Sequence, residues 1–120
     1  MPTPQHTFSV VDGRLVCTTV GGGVSITHRC PLSTYQLLAF EMQELEVKGF
    51  TADSLVKHMK VVLDMDVSLG EVSAVLAFLA DQQCLEPVGR DGKKFKPAGA
   101  FAFDDAMISY HQLRERGQPE

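Results

Sequence analysis

The chain has 120 residues, 44% hydrophobic and 22% charged, the balance of one globular domain rather than of a disordered polymer. A formal net charge of −4, from 15 acidic and 11 basic side chains, excludes a molecule whose whole surface is a trap for nucleic acid. Three cysteines without a C-x-x-C pair provide neither a disulfide framework nor a structural zinc cage. No apolar run approaches the roughly 20 residues of a membrane helix and no leader pattern opens the chain, so a cytoplasmic protein with no membrane partner and no cofactor is expected.

Phe8 to Val11, the Asp12-Gly13 pair and Arg14 to Val20 predict a hairpin on a type I′ turn, whose positive φ values glycine accepts. Val24 to His28 predicts a third strand ending near Pro31, making residues 1–31 a β-meander joined through Gly21, Gly22 and Gly23. Behind Ser33, Tyr35, Leu38, Met42 and Leu45 recur at helical steps, with Glu41, Gln43, Glu44 and Glu46 pointing away and Gly49 as a stop. Thr51 caps a second helix with an apolar stripe of Leu55, Val56, Met59 and Leu63. That leaves Lys57, His58 and Lys60 in water, and the helix should end near Met65 or Asp66. Ser68 with Glu71 forms a capping box for a third helix through Leu69, Val72, Leu76 and Leu79 to about Gln83. Leu85 to Val88 and Lys94 to Lys96 flank Asp91-Gly92, the signature of a second hairpin. Asp104 and Asp105 open a last helix, with Met107, Tyr110 and Leu113 along one side and Arg114 and Arg116 at its end, an order that suits the helix dipole.

Helix, capped helix, capped helix and a glycine-turn hairpin with basic residues, from Ser33 to Pro97, is a succession that resembles the winged helix-turn-helix superfamily. The likeness is clearest where Ser68 to Val88 passes through Gln83, Cys84, Leu85 and Glu86 toward the wing, a passage in which many members carry glycine where this chain has Gln83. The resemblance implies an α+β fold: a winged-helix-like three-helix core with a β-wing over 33–97, preceded by the meander of 1–31 and followed by a C-terminal helix over 101–117. It also implies a binding module rather than an enzyme, in DNA binding and transcription regulation.

Two partners follow from the charges. For DNA, Arg90, Lys93, Lys94 and Lys96 on the wing and Lys57 and Lys60 on the second helix would hold phosphates, with Ser73 reading bases. Yet the third helix contains no Lys or Arg, and stepping 100° per residue puts Gly70, Ser73, Ala74, Ala77 and Asp81 on its outward face. Small side chains there suit close packing against another helix, in this chain or a second subunit. The alternative is therefore a protein-interaction adaptor or homodimer whose contact buries Ala74, Ala77, Met107, Tyr110 and Leu113. The lysines of the wing also read simply as a solvated, aggregation-resistant edge.

No constellation for catalysis is visible. His6, His28, His58 and His111 lack the spacing of a helical metal pair and read as surface residues. Cys17, His28 and Cys30 offer ligand chemistry, but a three-residue glycine loop would set Cys17 opposite Thr27 and turn it to the other face, so no metal is expected. Gly21 to Gly23 lack the Lys-Ser or Lys-Thr of a phosphate loop, and Phe101 and Phe103 read either as an aromatic platform or as anchors of the last helix.

Overall fold

The computed structural model describes residues 5–21, 23–44, 49–89, 94–98 and 102–116. β1 (Gln5–Val11) turns through Asp12 and Gly13, at φ 52° and 73°, into β2 (Arg14–Gly21), with Val11 opposite Arg14. These left-handed values are those of a type I′ turn, whose twist matches that of the flanking strands. β2 pairs in turn with β3 (Val24–Pro31), Gly21 opposite Val24. The connection is thus two residues rather than three, because Gly21 is still in the ladder, and Cys17 faces His28 instead of Thr27. The sheet order is β1-β2-β3, and Phe8, Val10, Leu15, Cys17, His28 and Cys30 share the face turned toward the helices.

Four helices follow: α1 (Leu32–Glu44), α2 (Ala52–Leu63), α3 (Leu69–Asp81) and α4 (Ala102–Arg116), with β4 (Leu85–Val88) and β5 (Lys94–Pro97) pairing between the last two. The Asp91-Gly92 turn lies outside the described residues. Thr51 and Ser54 close a capping box on α2, and Ser68 and Glu71 close one on α3, where the Ser68 hydroxyl accepts from the Glu71 N–H at 3.0 Å. α2 ends earlier than expected because Asp64 takes a left-handed φ of 50°. Phe50 donates to and accepts from the backbone of Phe95, at 2.7 and 2.8 Å, which ties the entry of α2 to β5. Gln83 sits at φ 63°, a conformation that glycine adopts without penalty and Gln does not.

α3 lies at the centre of the core. Val72, Ala74, Val75, Leu76, Phe78 and Leu79 are all buried, against the sheet on one side and α2 on another. Phe78 meets Phe8 edge-on at 5.3 Å, and burial of such a ring stabilises the fold by about 1.5–3 kcal/mol. Gly70 lies directly under His28, leaving no space for a β-carbon. α4 packs on α1, where the buried Tyr35 hydroxyl donates to the Ala106 carbonyl at 2.5 Å and the Tyr35 and Tyr110 rings are 5.2 Å apart. Helical spacing had turned Glu41 and His58 to solvent. Instead Glu41 is buried and bonds the half-buried His58 at 2.7 Å, stitching α1 to α2.

Candidate interaction surfaces

Of the expected interface residues, Ala74, Tyr110 and Leu113 are buried in the chain's own core and Met107 is half-buried against it. Ala74 turns inward because α3 is covered on two sides rather than one, which a single apolar stripe does not reveal. Ser73, Ala77 and Asp81 do reach the open side of α3. There they form, with Leu69, Leu76 and Ala80, the floor of a groove of about 780 Å³ whose walls are His6 on β1, Thr51 to Asp53 at the start of α2, and Phe95 on β5. Asp53 and Asp81 line it, and among the described residues no Lys or Arg does.

The expected phosphate-binding cations fall into three groups. Lys96 is paired with Glu86 at 3.2 Å, and Lys60 with Asp64 and Asp66 at 3.2 and 3.3 Å. Those carboxylates hold the Lys60 ammonium above its ordinary range. Lys57 and Lys94 are exposed and, among the described residues, carry no ion pair, while Arg90 and Lys93 lie outside the described residues. Ser73 is therefore placed in a concave acidic setting, apart from the paired lysines.

The two-residue loop brings Cys17, His28 and Cys30 onto one sheet face after all. Among the described residues, though, no group of three His, Cys, Asp or Glu side chains could hold a metal ion. His28 is spent on Gly70, and burial keeps the thiols protonated: Cys30 is pushed up to about 12 by desolvation and then by the Glu71 charge, and Cys17 and Cys84 are raised chiefly by desolvation.

One surface has no counterpart in the sequence reading. In an antiparallel ladder a hydrogen-bonded pair turns both N–H and C=O toward the same neighbour, and the pair that closes a two-residue loop is of this kind. With closing pairs Val11–Arg14 and Gly21–Val24, the even-numbered residues of β2 bond β1 and the odd-numbered ones bond β3. Ser25, Thr27 and Arg29 therefore turn their backbone groups outward, and among the described residues no strand pairs with them. Val24 to His28 contains no charge and no proline, and Val24 and Ile26 are 58% and 50% exposed. The signal available in the sequence was that uncharged β-run, but which strands form the edges of the sheet, here β1 and β3, depends on the strand order.

Among the described residues no helix is long and apolar enough to cross a membrane. No protein-family model, curated protein or solved structure matches the chain.

Proposed function

We propose that the chain is a protein-recognition module with a winged-helix-like core, and that it takes an extended segment of a partner protein as a fourth strand on β3. The observation that carries this reading is the open edge of β3, whose stretch Val24 to His28 lacks the charge, proline or bulge by which edge strands are ordinarily protected, Arg29 and Pro31 standing only at its far end. Backbone groups of Ser25, Thr27 and Arg29 would supply affinity, and the exposed Val24 and Ile26 would select apolar side chains at alternate guest positions.

The order α1, Phe50 bridge, α2, α3, β4–β5, with Gln83 at positive φ where many winged-helix proteins carry glycine, supports the winged-helix part. By itself that order supports DNA as readily as protein, and the charges separate the two. The open face of α3 is an acidic groove floor, and Lys60 and Lys96 already have carboxylate partners, so phosphate contacts by those two would break ion pairs and leave Lys57 and Lys94 as the unpaired cations among the described residues.

Proline at Thr27 removes one outward N–H yet no bond of the β2–β3 ladder, whereas proline at Ile26 removes a native one. Peptides selected by display against the intact chain should bind Thr27→Pro at least tenfold more weakly, with the variant's melting temperature nearly unchanged and that of Ile26→Pro clearly lowered. Equal binding to wild type and Thr27→Pro would refute strand addition. Retention on duplex DNA that falls steeply with salt would favour the nucleic-acid reading instead.

A further inference from the structure

We infer that the groove over α3 is a second docking site, separate from the β3 edge, and that its occupant is an amphipathic α-helix of a partner protein with lysine or arginine beside a small apolar face. The floor is a 13-residue helix, about 20 Å long, enough to support three turns of a guest. Ser73, Ala77 and Ala80 follow at steps of four and three, so small side chains occupy one line along it and a second helix axis can approach to about 8 Å. Phe95 and Leu69 stand beside that line, Leu69 50% exposed, and supply the apolar wall.

Charge chooses the guest. Among the described residues Asp53 and Asp81 line the groove without a Lys or Arg, and neither has a cationic partner. The start of α2 also borders the groove, but the Thr51 and Ser54 N–H groups are taken by the capping box and Asp53 in the first turn repels an anion there, so a cationic guest is favoured at this end too. A guest with acidic residues would meet two like charges, whereas one with Lys or Arg finds two partners on the rim of an apolar cleft. The concave shape suits a helix lying along α3 and does not suit insertion of α3 into a DNA groove.

The test uses the intact chain, isotope-labelled, and two synthetic 14-residue helical peptides sharing an Ala/Leu face, one bearing two lysines and the other two glutamates. The lysine peptide should shift the amide signals of Ser73, Ala77 and Ala80 and bind at least tenfold more tightly than the glutamate peptide. Ser73→Arg, an exposed change whose folding is checked by its melting temperature, should weaken the lysine peptide at least tenfold, and Asp81→Lys should reverse the preference. Thr27→Pro should leave all of this unchanged, so the two sites fail separately. Equal affinity for both peptides, absence of shifts at millimolar peptide, or shifts confined to β3 would each overturn the assignment.

Discussion

Gly70 shows how one missing side chain positions a layer. A β-carbon there would lie 2.4 Å from Nδ1 of His28, so the sheet rests on α3 only because nothing projects at this point. Gly70→Ala should cost about 1–3 kcal/mol in chemical denaturation through overpacking, even though alanine is the better helix former. Adding His28→Ala should recover most of that loss; failure to recover it would place the strain elsewhere. The buried thiols give a second residue-scale expectation. An unfolded cysteine loses its proton near pH 9.0 while Cys30 in the folded chain holds it to about 12. Between those values the unfolded state binds fewer protons than the folded one. Stability should therefore fall as pH rises through this window, by about 1.4 kcal/mol per unit for this group. Denaturation midpoints from pH 8 to 11 test it, and Cys30→Ala should flatten the decline even though its baseline stability is lower.

The helices differ in how far local chemistry accounts for them. The Ser68–Glu71 box joins residues three apart, and for that reason it was legible before any tertiary contact was known. Ser68→Ala should cost about 1 kcal/mol, read as a melting-temperature drop of about 4 °C for a chain of this size. The faces of α3 were only half legible. Ser73, Ala77 and Asp81 do line the open side, but Gly70 and Ala74 are taken up by packing, because the sheet that covers them lies some forty residues upstream and leaves no mark in the periodicity of α3. Glu41 and His58 were misplaced for the same kind of reason, since each is tolerated in a partly buried position only through the other. The three strands were visible, and the loop between β2 and β3 was not, since three consecutive glycines do not say which of them stays in the ladder. The β3 edge and the groove over α3 are products of assembly. Neither could be placed until β1 and β5 were seen flanking the same helix.

At the scale of the molecule, the three-stranded sheet, the helices and the β4–β5 pair are not independent parts. Leu15 and Cys30 belong to the same buried cluster as Leu55, Phe78 and Tyr110, so the stretch resembling a winged helix does not contain its whole core. A chain lacking residues 1–31 should lose cooperative melting and bind a dye for exposed apolar surface, because one side of α3 is stripped. Cooperative unfolding of that fragment, at a midpoint near that of the intact chain, would show instead that 32–120 folds without the sheet.

The meeting of Phe8 with Phe78 has a consequence in time as well as in space. During synthesis the three strands leave the ribosome first, and α3 follows only after a few seconds, at about 5–20 residues per second. Throughout that interval the nascent sheet displays an unguarded strand together with the apolar face that will later be hidden. If β3 takes a partner strand as proposed, the half-made chain must be kept from taking it too early.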